Sequence, residues 1–445
     1  MALTGLEIFK LLPKTNCGKC SSPTCLAFAM RLASKKASLD ECPDVSAQAK
    51  AALGAASAPP IKLVTIGVGE NKVEIGNETV LFRHEQTFFH QTGLAIEVSD
   101  NLSDDELKTK INQINNLKFE RVAQLLKVNI IAIREVSGSP EKFANAVKIA
   151  QELSQLALIL VSFNKDALNA ALKICADKKP LIYAATSENV QDIIAIAKQY
   201  SCPLVVRGKN LDELANLTGT VTLAGISDLV LDSSPSGILA GLTDQVQIRR
   251  LALKKNFRAL GYSTIAFTSD SDCYGELVEA TTYICKYAGI VVLKCVENWQ
   301  LLALVTLRQN IYTDPQKPIQ VEAKLYTVGN VTENSPVLIT TNFSLTYFTV
   351  ESEVEGSRVP SYIVVVDTDG TSVLTAWAAD KFNSEKITKA MKTYNIAEKV
   401  KHNKIIIPGG VAVLSGKLQE DLGCEVLVGP REASGIPNFL KTVWK

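Results

Sequence analysis

The chain has 445 residues, 47% of them hydrophobic and 21% charged, and its 47 Lys and Arg nearly cancel its 46 Asp and Glu. That length exceeds what one hydrophobic core fills, so about two to four domains are expected, and the charge balance excludes the basic footprint of a nucleic-acid binder. No apolar run reaches the roughly 20 residues needed to cross a bilayer, and Glu7, Lys10 and Lys14 interrupt the amino terminus as a signal sequence, so the expectation is a cytoplasmic protein with small-molecule or protein partners and no membrane contact.

Residues 1–57 carry four of the ten cysteines, Cys17, Cys20, Cys25 and Cys42. The runs TGLEIFKLL and TCLAFAMRLASKKA around them read as helices. A unit this small cannot bury enough apolar surface to fold unaided, so the cysteines and the weak core explain each other if a metal centre is present. Gly18 and Pro23 shape the two short loops of the Cys-x2-Cys-x4-Cys pattern. Soft thiolate donors at this spacing suit an iron-sulfur cluster, with tetrahedral zinc and unliganded cysteines as the other readings. The six remaining cysteines stand singly in mostly apolar stretches and read as reduced core residues without a disulfide framework. The Ala/Ser/Pro-rich run AALGAASAPP reads as a joint.

Residues 58–92 read as a linker with short strands, IKLVTIGVG and KVEIGNETVLF. Over residues 93–312, eight apolar runs (GLAIEVSD, VNIIAIREV, ALILVSF, PLIYAAT, CPLVVRG, DLVLD, STIAFTS and IVVLKC) alternate with helical segments. Runs apolar on both faces belong in a parallel sheet, and this number of βα units predicts a closed (β/α)8, TIM-type barrel, with an open doubly wound sheet as the alternative. The segment TDPQKP, near residues 312–330, reads as a hinge. Residues 325–445 restart the alternation with SPVLITTN, SYIVVVDTDG, KHNKIIIPGG and CEVLVGP, and predict a second, Rossmann-like α/β domain. Gly370, Thr371, Ser372 and Val373 follow one of its strands, Thr340 and Thr346 flank another strand end, and Ala433 follows the last. Such positions either approach a ligand or form ordinary βα turns.

Other motifs fail on spacing. In HEQTFFH the second zinc-protease histidine is replaced by Phe88, and His84 and His90 are out of helical register for chelation. In GGVAVLSGKL, Gly410 and Gly416 enclose five residues and Leu418 replaces the hydroxyl of a phosphate loop. With three histidines in the chain, hydrolytic chemistry based on histidine is poorly supplied.

The segments NCGKCSSPTCLAFAMRLAS, VLFRHEQTFFH, SPVLITTNFSLT, DTDGTSVLTA and VGPREASGI together resemble the large-subunit family of the corrinoid iron-sulfur proteins, over the whole chain. The resemblance implies a [4Fe-4S] cluster on Cys17, Cys20, Cys25 and Cys42, a central barrel paired with a small subunit, and a C-terminal corrinoid domain. It carries Thr340, Thr346, Gly370, Thr371, Ser372, Val373 and Ala433 over as corrinoid contacts. It further implies a cobalamin-type cofactor held base-off. In agreement, the DxHxxG histidine signature of another corrinoid class is absent: Val400 and Ile405 stand around His402 where that signature has Asp and Gly, and His402 reads as a strand-edge residue. The implied activity is methyl transfer to and from cobalt, with no catalytic side chain. Methyltetrahydrofolate would supply the methyl group through a methyltransferase, acetyl-CoA synthase would receive it in the reductive acetyl-CoA pathway, and the cluster, fed by a low-potential electron donor, would reactivate oxidised cobalt. An iron-sulfur/flavin electron carrier and a zinc-stabilised scaffold are the rival readings.

Overall fold

The computed structural model describes residues 5–20, 22–33, 37, 41–46, 49, 59–122, 124–269, 272–316 and 318–444. The predicted joint, through residue 58, the end of the second predicted N-terminal helix, and Lys317 of the predicted hinge lie outside the described residues. Helices Gly5–Leu11 and Cys25–Ala33 form at the amino end as expected. The two alternating runs of the linker become β1 (Val64–Ile66) and β2 (Val73–Ile75), antiparallel with Val64 opposite Ile75.

The barrel begins at β3 (Gly93–Ser99) and its capped helix Asp104–Asn116, where the Ser103 and Glu106 side chains satisfy each other's backbone N–H. There the chain departs from simple βα order. The segments β4 (Lys118–Arg121) and β5 (Gln124–Lys127), polar and largely exposed, make a separate two-stranded sheet that the apolar-run pattern does not announce. Then follow β6 (Ile130–Arg134), β7 (Ala157–Val161), β8 (Leu181–Ala185), β9 (Leu204–Arg207), β10 (Leu229–Asp232), β11 (Thr264–Phe267) and β12 (Ala288–Leu293). With β3 they close an eight-stranded parallel barrel in the order β10-β11-β12-β3-β6-β7-β8-β9, each strand followed by a helix. All five residues of β7 are buried, as a strand covered on both faces requires. Side chains of β1 and β2 (Val64, Ile66, Val73 and Ile75) join Ala95, Ile130, Ile159 and Val230 in the barrel core, so the linker strands are part of the barrel's packing.

One expectation about the cysteines is overturned. Cys273, at the start of helix Cys273–Cys285, and Cys295, just after β12, form a disulfide with Cα atoms 5.9 Å apart. The neighbouring strands β11 and β12 deliver the two positions to adjacent loops. Cys175 and Cys202 are buried free thiols, and burial raises their pKa to about 12 and about 11.

The structure divides into two compact units. The first contains the chain up to Leu117 and Lys127–Tyr312; the second contains Lys118–Leu126 and the chain from Thr313 onward. In the second unit, β13 (Leu325–Val328) runs antiparallel to β15 (Ser361–Val366), while β14 (Val337–Thr341), β15, β16 (Lys404–Ile407) and β17 (Glu425–Val428) are mutually parallel in the order β13-β15-β14-β16-β17. One sheet face packs Val337, Ile339 and Ile407 against Ile387 and Leu418 of helices Ser384–Thr393 and Ser415–Leu422. The other packs Leu338, Ile363 and Ile406 against Tyr347, Val354 and Leu440 of helices Ser344–Ser357 and Ile436–Thr442. The chain leaves β14 toward β15 and later returns to its other side through β16. The strand order therefore reverses between β14 and β16, where open α/β sheets leave a ligand crevice beyond the carboxyl ends. No helix among the described residues is long and apolar enough to cross a membrane.

Candidate functional site

Cys20, Cys25 and Cys42 are buried in one small core with Ile8, Phe28 and Val45, while Cys17 is exposed. Local bonds gather the segments that carry them. The Asn16 side chain accepts from Cys25 N at 2.8 Å, and Asn16 N donates to Cys25 Sγ at 3.4 Å, an amide-to-sulfur bond of the kind that tunes thiolate ligands. Arg31 donates to the Cys20 carbonyl (3.2 Å) and pairs with Glu41 (3.5 Å), which ties the segment around Cys42 to the second helix; Lys19 and Asp44 add a second tie at 3.6 Å. Gly18 takes φ +72°, a left-handed turn inside the first Cys-x2-Cys loop that suits glycine. Among the described residues, no three His, Cys, Asp or Glu side chains converge closely enough to hold a single metal ion. The donor chemistry, four thiols with three screened from water, nevertheless fits a thiolate-ligated cluster.

In the second unit, the residues singled out by sequence all fall beyond or at the carboxyl ends of parallel strands. Thr340 is the penultimate residue of β14, and Thr346 lies in the first turns of the following helix, Ser344–Ser357. Gly370–Ser372 form the turn after β15, Val373 begins helix Val373–Ala378, and Ala433 begins the 3-10 turn after β17. These loops are neighbours. Helix Val373–Ala378 packs against the 3-10 segment Gly409–Leu414, helix Ser344–Ser357 packs against the Ala433 turn, and Gly409 N donates to Pro430 O at 3.1 Å. The Thr340 and Thr341 hydroxyls are buried and have no hydrogen-bond partner. A native core seldom leaves such groups unpaired, and Thr340 shares the face of Leu338, toward Tyr347 and Ile436.

Sequence reasoning missed Thr341 and Asn342. Asn342 directly follows β14 and is buried amid the turn of residues 367–370. The available signal was a short polar residue at a strand end immediately before a helix. The histidines lie elsewhere. His402 precedes β16, at the amino edge of the sheet, with Nε2 2.8 Å from Ser335 O and Nδ1 accepting from Lys404 N. In the first unit, His84 stacks on Phe82, and His90 Nδ1 lies 2.7 Å from Gly76 O, so the two do not form a chelating pair.

A family model described as the CO dehydrogenase/acetyl-CoA synthase delta subunit matches residues 63–440, and a second, for an Fe-S cluster, matches residues 12–43. The chain is 53% identical over 99% of its length to the corrinoid/iron-sulfur protein large subunit of Moorella thermoacetica, 99% of which is covered. The chain belongs to the corrinoid/iron-sulfur protein large-subunit family. Archaeal relatives called acetyl-CoA decarbonylase/synthase complex subunit gamma are 38% identical in Methanothermobacter thermautotrophicus and 35% in Methanocaldococcus jannaschii, each over 99% of this chain and over 99% and 96% of the relative. The Fe-S segment of this large-subunit chain spans all four N-terminal cysteines, and the longer match takes in both the barrel and every strand-end loop of the second unit.

Proposed function

We propose that this chain is the large subunit of a corrinoid methyl carrier in the acetyl-CoA pathway. The observation that carries the reading is the coexistence, in one chain, of an Fe-S-type thiol segment and a full-length match to a corrinoid/iron-sulfur large subunit. Cys17, Cys20, Cys25 and Cys42 hold a [4Fe-4S] cluster, and Thr340, Thr346, Gly370–Val373 and Ala433 hold a base-off corrinoid in a Rossmann-like domain. When bound, the corrinoid supplies the cobalt that carries a methyl group from methyltetrahydrofolate, through a methyltransferase, toward acetyl-CoA synthase, and the cluster supplies the low-potential electron that restores inactive cobalt. The chain's own residues hold and shield. The unpartnered Thr340 hydroxyl offers a hydrogen bond to a polar edge of the macrocycle, and the glycine at 370 lets the loop turn tightly against Pro318 and Gln320. His402 is committed at the amino edge of the sheet, away from the strand-end loops that would hold the corrinoid.

The test is iron, cobalt and zinc analysis, with an absorption spectrum, of protein purified without oxygen from its natural source. The reading expects about four irons, as a cubane requires, together with corrinoid bands. Zinc in place of iron would defeat the cluster assignment, and flavin bands in place of cobalt would leave an electron carrier. Cys25→Ser should release iron while cobalt is retained, because the two sites lie in different units.

A further inference from the structure

The turn from β15 to helix Val373–Ala378 is held by a side chain from another strand. Asn342, at 3% exposure, uses its whole amide. Its Oδ1 accepts from Thr368 N at 2.9 Å and Gly370 N at 3.0 Å, and lies 3.0 Å from Thr368 Oγ1. Its Nδ2 donates to Gln320 Oε1 at 2.8 Å and Asp367 Oδ1 at 3.0 Å. The backbone is engaged as well: Asn342 N donates to Val366 O at 3.0 Å, and Val321 N donates to Asn342 O at 2.9 Å. Donors lie on one side of this amide and acceptors on the other. Among side chains of its size only an amide presents both: a carboxylate would set its charge against Asp367, and an apolar isostere would take the side-chain partner from Thr368 N, Gly370 N and Gln320 Oε1. The turn thus clamped is tight. Gly370 has φ +70°, and a Cβ there would stand 3.0 Å from Pro318 O and 3.2 Å from Gln320 Cβ.

We infer that Asn342 is the positioning residue that sets the Gly370–Val373 loop for its ligand, tying it both to the end of β14 and to Gln320. The inference rests on the reading that this loop contacts the corrinoid. Buried amide bonds made in the folded chain fix the loop before binding, so the cofactor need not order it.

The experiment uses the full-length chain purified without oxygen, with three variants: Asn342→Ala, Asn342→Asp, and Asn342→Asp combined with Asp367→Asn. Two quantities are read: amide hydrogen exchange of residues 367–373 in cobalt-free protein, and cobalt retained after gel filtration following incubation with hydroxocobalamin. Asn342→Ala should speed exchange in that segment and weaken cobalt retention by about tenfold or more, as loss of even one buried hydrogen bond would, while exchange in the barrel strands stays unchanged. Asn342→Asp should be impaired as well, because its carboxylate faces Asp367. The double variant should recover part of the loss, that due to the facing charges. Asp367→Asn removes the repulsion between the two carboxylates, but Asp367 Oδ1 accepts from both Asn342 Nδ2 and Asp369 N, so the introduced amide serves one of these two partners at a time, while Gln320 restores its own bond by an amide flip. Unchanged segment exchange in Asn342→Ala would overturn the inference, as would normal cobalt retention in that variant or a double variant no better than Asn342→Asp. A wild-type chain that takes up no cobalamin would instead defeat the corrinoid reading, while the exchange measurement still decides what Asn342 does to the loop.

Discussion

Within the first unit, a buried ion pair helps fasten the linker segment 78–90 to the barrel, and replacing Arg249 measures its share of that attachment. Glu78 Oε1 accepts from Phe89 N (2.9 Å) and His90 N (3.0 Å), and Glu78 Oε2 lies 3.5 Å from Arg249. Arg249 also donates through Nε and a terminal nitrogen to Val80 O, at 3.1 and 2.8 Å, and its guanidinium lies over the rings of Phe88 (5.4 Å) and Tyr287 (4.8 Å). Arg249→Met strands a buried carboxylate and a backbone carbonyl together, and breaking a buried pair from one side costs about 3–5 kcal/mol. Glu78→Gln keeps an acceptor for both amides and should cost less, about 1–3 kcal/mol. For a unit of this size the Arg249→Met loss corresponds to a melting-point drop of roughly 5–8 °C. Calorimetry, with hydrogen exchange over residues 78–90 to localise the effect, is the assay. Arg250, exposed on the same helix, is the control. If Arg249→Met costs no more than Arg250→Met, or less than Glu78→Gln, the ion pair is not what holds the linker.

Gly76 has φ +103°, and an added Cβ would strike the backbone carbonyl of Lys62 and come within 3.2 Å of Leu63 Cα. Gly76→Ala should therefore lower stability by about 1–3 kcal/mol or more. Gly69→Ala, at φ +67° with nothing within 4 Å, should cost about 1 kcal/mol; equal losses in thermal melts would show that space around Gly76 is not the cause. Burial raises Cys175 to about 12 and Cys202 to about 11, above their ordinary value of 9.0. The unfolded chain releases these protons first, so their contribution to stability is complete below about pH 8.5–9 and disappears as pH climbs through the folded values. Urea titrations at rising pH should show this loss, and Cys175→Ala should flatten it. Alkylation of native protein without reductant should leave Cys273 and Cys295 unlabelled until a reductant opens their bond, and a chain whose ten cysteines all alkylate without reductant would contradict the pairing.

The barrel was legible because its strands are buried on both faces. A run such as ALILV carries its environment in its composition, and a helix follows each of the eight strands. The same logic hides β4 and β5. KFER and QLLK lie largely exposed, so their pairing depends on each other and leaves no apolar run behind. The Cys273–Cys295 bond was invisible for a related reason. Its partners are 22 residues apart in sequence and meet only because β11 and β12 are neighbours in the closed barrel. Composition describes what surrounds a residue on average, whereas a bond of this kind depends on which strand lies next to which.

In the second unit the residues visible in sequence are those whose type answers to the local backbone. Gly370 turns left-handed, and Thr371 Oγ1 closes the turn onto Thr368 O at 2.7 Å, so DTDGTS reads as a tight turn in any context. Asn342 answers to nothing local. Its partners Asp367, Thr368 and Gly370 lie 25 to 28 residues further along, brought to it by the parallel pairing of β14 with β15. A buried amide at a strand end, with its donors and acceptor met by Gln320 and by the turn after the neighbouring strand, makes the loop's shape depend on the sheet as well as on its own sequence. Two chains with the same DTDGTS turn would then differ in how firmly that turn is held, according to the residue at position 342.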